Sequence, residues 1–121
     1  MPAAANALLA SFKIWNTATV GGNICRAFAA AAMVSLCVAL DADAVVWSGD
    51  GEKRMPVADL ITGNGTTLLT PGEVLRAVEI PAHALASRAL LRKIALAEHG
   101  RSGAVVTGRV DPDGASVFTV T

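Results

Sequence analysis

Five consecutive residues combine two glycines with a hydroxyl and an amide: Thr19, Val20, Gly21, Gly22 and Asn23. Paired glycines let a backbone approach a ligand closely, and successive backbone N–H groups can form a concave anion site. The Thr19 hydroxyl and the Asn23 amide add hydrogen-bond donors. The chemistry of this TVGGN segment, as we call residues 19–23, is that of a phosphate cradle.

The neighbouring residues predict that the TVGGN segment contains a tight turn. Residues 17–20 favour an extended conformation, residues 21–23 a turn, and residues 27–40 a helix. A helix N-terminus just after such a turn favours a phosphate. A purely structural Gly-Gly connection is the commoner explanation of such a segment, since the spacing matches neither a P-loop nor a dinucleotide-binding fingerprint. Both interpretations remain open from this segment alone.

Other residue types that carry chemistry do not form a recognisable catalytic set. Cys25 and Cys37 are 12 positions apart without a metal-ligand partner, and His83 and His99 lie in unrelated contexts. We expect Cys37 in the core and the histidines at the surface. The sequence therefore predicts no Ser-His-Asp triad and no metal cluster.

Composition excludes several classes of protein. The 121 residues carry 10 basic and 10 acidic side chains, and a neutral chain is a poor nucleic-acid binder. The most apolar run, residues 27–40, is shorter than the roughly 20 residues of a membrane span. Two cysteines do not make a disulfide framework, which favours the cytoplasm. We expect a globular protein that binds neither nucleic acid nor membrane.

The remaining elements indicate an α+β fold. A helix is predicted over residues 3–11, a strand over 44–47 with a hairpin return over 53–57, and a helical turn over 57–61. Residues 74–80 alternate as a strand, with Leu75 and Val78 on opposite faces. Residues 103–110 and 116–121 form a hairpin around an Asp-Pro-Asp-Gly turn.

Residues 16–25 resemble the second flavin-binding motif in the FAD-binding subunits of molybdenum hydroxylases, the medium subunits of the carbon monoxide dehydrogenase and xanthine dehydrogenase family. Residues 40–42, 54–63 and 69–81 resemble three further segments of that family, in the same order. The resemblance implies that residues 1–82 form the second lobe of a two-lobed FAD-binding domain, a mixed sheet with helices. Residues 83–121 would begin a β-rich C-terminal domain.

The resemblance also implies a cofactor, partners and site residues. The TVGGN segment would hold the FAD pyrophosphate, Leu75 would lie near the isoalloxazine ring, and Arg92 or Lys93 would lie close to the flavin. Arg88, Arg92 and Lys93 also fit a simple exposed face. Electrons would reach FAD from iron–sulfur clusters on a small partner subunit and pass to an acceptor such as NAD. A large subunit would carry molybdopterin.

The sequence departs from the family pattern at two places. The first flavin-binding lobe, with its Ala-Gly-Gly motif, does not precede the TVGGN segment, which suggests a partial chain. The family's Ser-Pro-x-x-Asp stretch corresponds to residues 27–32, which contain no carboxylate. These departures support an alternative, a truncated non-catalytic remnant or subunit-interaction module that does not bind FAD by itself. The resemblance further predicts a strand over residues 88–97, although composition favours a helix over 81–98.

Overall fold

The structure, a computed structural model, describes residues 4–5, 12–97 and 100–121. The helices of the described residues include α1 (Phe12–Thr17), α2 (Val20–Arg26), α3 (Ala32–Ala39), α4 (Val57–Leu60) and α5 (Ala82–Leu85). The strands are β1 (Asp43–Ser48), β2 (Gly51–Pro56), β3 (Ile61–Gly63), β4 (Thr66–Thr67), β5 (Val74–Glu79), β6 (Arg88–Ala95), β7 (Ser102–Val110) and β8 (Ser116–Val120). The helix predicted over residues 3–11 falls almost entirely outside the described residues.

The described strands pair antiparallel throughout and confirm the predicted α+β class. The first sheet has the order β2-β1-β5, and β3 pairs with β4 as a small hairpin. The third sheet has the order β6-β7-β8. Its last two strands form the predicted hairpin, and Gly114 in the connecting turn has a φ of +89° that favours glycine. The strand predicted from residue 88 is confirmed as β6.

Helix α3 lies between two apolar clusters. Leu36 packs in one cluster with Leu91 of β6 and Val105 of β7, while Cys37 packs in the other with Leu60 of α4. Val105 and Leu60 are fully buried, and burial of each contributes about 2 kcal/mol. A helix covered on both sides must be apolar nearly all round, which explains its composition.

The helix predicted over residues 27–40 is wrong in its first five residues, because α3 begins at Ala32. Ala27 and Ala30 have φ values of 46° and 54°, and this left-handed conformation cannot continue an α-helix. The β3–β4 turn holds the segment instead. The Gly65 N–H donates to the Ala27 carbonyl at 2.7 Å, and the Ala29 N–H donates to Asn64 Oδ1 at 2.9 Å. Tertiary hydrogen bonds therefore override the helix propensity of alanine.

The predicted extended stretch over residues 17–20 and turn over 21–23 are also wrong. Helix α1 runs to Thr17, and α2 already begins at Val20. Thr19, just before α2, has an extended backbone, and its hydroxyl accepts a hydrogen bond from the Gly22 N–H at 2.9 Å. Thr19 is thus an N-cap, so the two glycines form the first turn of a helix.

Strand β5 is confirmed, but its predicted alternation is not. Adjacent residues of β1 pair with Leu75 and Ala77, so Arg76 is the extra residue of a β-bulge. The bulge shifts the register in which β5 pairs with β1 by one residue. As a result Leu75 and Val78, predicted on opposite faces, both pack against the same apolar cluster.

Candidate functional site

One face of α2 lines a cavity of about 470 Å³. Thr19, Gly22, Asn23 and Arg26 contribute this face, because residues three, four and seven positions apart lie on one side of a helix. The cavity is also lined by residues 28–32, which are the loop before α3 and the first residue of that helix. A cavity of this volume is in the range of small-molecule sites.

Gly22 leaves space on the α2 face of the cavity, because glycine has no side chain. A Cβ at this position would lie 3.0 Å from Thr19 Oγ1, the atom that caps the helix. A Cβ at the preceding Gly21 would meet no atom within 4 Å. A side chain at Gly22 would therefore disturb both the cap and the cavity, whereas one at Gly21 has room.

Asn23 connects α2 to α3. Its Oδ1 accepts a hydrogen bond from the Met33 N–H at 3.1 Å, near the start of α3. The N-cap residue of that helix is Ala31, which has no side-chain acceptor. Asn23 therefore serves as a remote N-cap, which leaves its amide nitrogen as the group that can donate to a ligand.

The mouth of the cavity is positively charged. The guanidinium groups of Arg26 and Arg101 lie 4.7 Å and 5.5 Å from the centre of the Phe28 ring. All three residues line the cavity, and its described lining contains no Asp or Glu. Arg101 and the adjacent Ser102, at the start of β7, bring the third sheet to the site. The arrangement suits a ligand with an apolar body and an anionic group.

The predicted site residues divide between two sides of α2. Thr19, Gly22 and Asn23 line the large cavity. A second cavity, of about 290 Å³, is lined by residues that include Val20, Gly21 and Leu75. The structure thus brings Leu75 against the TVGGN segment, on the side away from the large cavity.

Arg92 lies apart from the other predicted site residues. It is on β6, lines neither cavity, and donates a hydrogen bond to the Leu91 carbonyl at 3.2 Å. Flavin contacts of Leu75 and Arg92 stay predictions.

Sequence reasoning missed Arg26, Phe28 and Arg101. Arg26 had a usable signal, because it follows Thr19 by seven residues and reading this stretch as a helix places both on one face. No signal in the sequence identifies Arg101, since only the position of β7 in the fold brings this residue to the cavity.

The two cysteines differ in environment. Cys37 is buried beside the second cavity, as predicted, and burial raises the pKa of its thiol to about 11. Cys25 is exposed, although partial burial still raises its thiol pKa. Neither thiol is a reactive thiolate near neutral pH.

Within residues 4–5, 12–97 and 100–121, no group of three or more His, Cys, Asp or Glu side chains could hold a metal ion. In the same residues, no helix is both long and apolar enough to cross a membrane. His83 is exposed, as predicted, and its side chain lies 3.5 Å from Asp41; His99 lies outside the described residues.

Solved structures share this fold. The quinoline 2-oxidoreductase of Pseudomonas putida 86 superposes with a TM-score of 0.86 at 23% identity, covering 98% of this chain and 42% of that one. The carbon monoxide dehydrogenase of Oligotropha carboxidovorans superposes with a TM-score of 0.83 at 22% identity, covering 94% of this chain and 41% of that one. The chain therefore spans about two fifths of these solved chains.

Sequence similarity identifies the family to which the chain belongs. The alpha subunit of the 6-hydroxypseudooxynicotine dehydrogenase complex of Paenarthrobacter nicotinovorans is 34% identical over 77 residues, which are 64% of this chain and 26% of that protein. A family model described as the FAD binding domain in molybdopterin dehydrogenase matches residues 3–83, which include the TVGGN segment and α3. The chain belongs to this family of FAD-binding domains of molybdopterin dehydrogenases.

Proposed function

We propose that the chain binds FAD and carries electrons within a molybdopterin-dependent dehydrogenase. The observation that carries this proposal is the family match over residues 3–83, which contains the TVGGN segment whose Thr19, Gly22 and Asn23 line the large cavity. The diphosphate of FAD would lie against this face of α2.

The residues present fit such a cofactor. Gly22 leaves the helix face open, and a Cβ there would crowd Thr19 Oγ1 at 3.0 Å. A diphosphate is anionic, and the described lining offers two arginines and no carboxylate. Bound FAD would supply the redox chemistry. The chain's own residues would hold the cofactor, with Leu75 and Arg92 as proposed flavin contacts.

We extend the proposal to partners and acceptor. The related alpha subunit belongs to a dehydrogenase complex. This chain would likewise assemble with a molybdopterin-binding large subunit and an iron–sulfur small subunit in the cytoplasm. Electrons would then pass from the iron–sulfur clusters through FAD to an acceptor such as NAD, as in a xanthine dehydrogenase-type enzyme.

An FAD titration of the purified chain tests the central claim. Flavin fluorescence should be quenched with micromolar affinity by the natural chain. Gly22→Asp should abolish this, because it adds a carboxylate and crowds the Thr19 cap. Gly49→Ala, in the β1–β2 turn and outside both cavities, is the control and should bind normally, since its Cβ meets no atom within 4 Å. Circular dichroism would verify that both variants remain folded.

A second candidate function is a subunit-interaction module that does not bind FAD by itself. The lack of a carboxylate in residues 27–32 favours it. In that case the natural chain would leave flavin fluorescence unchanged, yet co-elute in size-exclusion chromatography with co-expressed large and small subunits. Flavin quenching that Gly22→Asp abolishes would reject this candidate.

A further inference from the structure

We propose that Arg26, Phe28 and Arg101 form a phosphate clamp that binds the phosphate groups of an adenine nucleotide. This inference rests on the proposed function and deepens it, because it names the side chains that neutralise the cofactor's diphosphate. It concerns residues outside the TVGGN segment.

The first support is the convergence of two positive charges on one ring. The guanidinium carbons of Arg26 and Arg101 lie 4.7 Å and 5.5 Å from the Phe28 ring centre, so they cannot be further apart than these distances combined. Like charges this close repel, the more strongly beside apolar walls. An anion that contacts both guanidinium groups would offset this repulsion with two attractions.

The second support is the absence of a competing partner. The ion pairs among the described residues involve neither Arg26 nor Arg101. Both side chains are exposed, and Phe28, 44% exposed, holds them against its ring. Their planar donor groups are therefore partly preorganised for an oxygen-rich anion, which arginine binds in a bidentate manner.

The third support is position. Arg26 lies two helical turns beyond Thr19 on the same face of α2, a distance of about 10 Å at 1.5 Å per residue. Ala29, Ala30 and Ala31 form the wall facing this helix and carry no charge. A ligand lying along α2 would contact the TVGGN segment and the clamp together. Because Arg101 directly precedes β7, the clamp also joins the third sheet to the α2 site.

Isothermal titration of the natural 121-residue chain with ADP, and with uncharged adenosine, tests the clamp. We expect ADP to bind more tightly than adenosine. The affinity for ADP should fall as the salt concentration rises. The double variant Arg26→Gln, Arg101→Gln should lose at least tenfold in ADP affinity and leave adenosine unchanged. Phe28→Leu should lose less, because it removes the ring but keeps both charges.

Arg54→Gln is the control. Arg54 is an exposed arginine on β2 that pairs with Glu52 and Glu79 and lines neither cavity. This variant should bind ADP within twofold of the natural chain. Failure of the natural chain to bind ADP, or equal ADP affinity in the double variant, would overturn the clamp.

An FAD titration of the same proteins separates the clamp from the proposed function. If FAD binds the natural chain and the double variant equally, the clamp is wrong and the proposed function stands. If ADP binds through the arginines but FAD does not bind, the clamp stands and the proposed function fails.

Discussion

Arg109 of β7 and Asp41, just beyond α3, form an ion pair with 2.6 Å between Nη2 and Oδ2. The Arg109 side chain is only 3% exposed, and its Nη1 also donates to the Ala39 carbonyl at 2.8 Å. Asp111 lies on its other side, with Oδ1 2.8 Å from Nε. One arginine thus ties the third sheet to the C-terminal end of α3. The same strand, β7, brings Arg101 and Ser102 to the cavity.

Replacing Arg109 with Met should destabilise the chain by roughly 3 kcal/mol. Removing the arginine leaves the carboxylates of Asp41 and Asp111 without their positive partner. Because Asp41 is half-exposed, water compensates it in part, and the loss of stability is at the low end of the range for buried ion pairs. Urea unfolding followed by circular dichroism measures the change. Arg109→Lys should recover part of the loss, since it keeps the charge but not the planar fork. Unchanged stability in the Met variant would show that the network is not a tie between elements.

The Asp41–Arg109–Asp111 network should make the chain less stable in acid. The hydrogen bond from Arg109 is the main cause that lowers the pKa of Asp41, and the Ser87 hydroxyl, followed by Arg109, lowers the pKa of Asp111. A carboxyl with a lowered folded pKa stabilises the fold above its unfolded pKa of about 3.9. That stability is lost as the pH falls through the lower folded value.

Urea midpoints between pH 7 and pH 3 test this acid dependence, with Asp41→Asn as the comparison. Asparagine tolerates the positive φ of 48° at this position and removes the titrating group. The variant should be less stable than the natural chain at pH 7, and the difference should shrink below about pH 4. A difference that stays constant with pH would contradict the expectation.

Asn23→Ala should lower stability by about 1 kcal/mol through the loss of the cap on α3. Asn23→Asp retains an oxygen acceptor for the Met33 N–H and should be far milder. Thermal unfolding compares the variants. Adding Ala31→Ser to Asn23→Ala supplies a hydroxyl at the helix's own N-cap position and should restore stability. Failure of this rescue would point to a different role for Asn23.

Asn64→Ala should weaken FAD binding roughly fivefold and lower the free energy of unfolding by about 1 kcal/mol. The substitution removes the hydrogen bond to the Ala29 N–H, which is worth about 1 kcal/mol and holds the loop that walls the cavity. Flavin fluorescence titration measures the affinity. Asn64→Asp keeps the acceptor oxygen and serves as the control. Equal affinity in the natural chain and the alanine variant would show that the loop needs no support from the β3–β4 turn.

The chain should self-associate at high concentration through the outer face of the third sheet. Phe118 and Val120 of β8 are 74% and 73% exposed, and Leu90 of β6 is 56% exposed. Leu90 and Phe118 face the same β7 residue, Gly108, from opposite sides, so the three side chains share one face. Size-exclusion chromatography should show larger species that Phe118→Thr with Val120→Thr reduces. A sharp monomer peak for the natural chain would reject this.

Local residue chemistry was enough to predict several elements. The Asp-Pro-Asp-Gly turn specifies the β7–β8 hairpin, and the Ser-Gly-Asp-Gly turn specifies the β1–β2 hairpin. The nearly uniform apolar character of α3 predicts burial on several sides, which both clusters confirm. Four family segments in the right order also predicted the FAD-binding family.

Other features depended on contacts between residues far apart in sequence. The loop before α3 adopts positive φ values because Asn64 and Gly65 hold it, although an alanine run favours helix. The bulge at Arg76 is visible only in the pairing of β5 with β1. In each case, tertiary hydrogen bonds and burial contribute more to the stability of the observed conformation than the weak local propensity does.

The sequence by itself determined the chemistry available to this protein: a glycine pair with a threonine and an asparagine, strands separated by strong turns, and membership of a flavin-binding family. Only the tertiary structure decided that Arg101 and residues 28–32 line one cavity with the helix face of Thr19, Gly22, Asn23 and Arg26. The reason is physical. Turns and caps depend on neighbours along the chain, whereas a cavity forms where segments distant in sequence pack together.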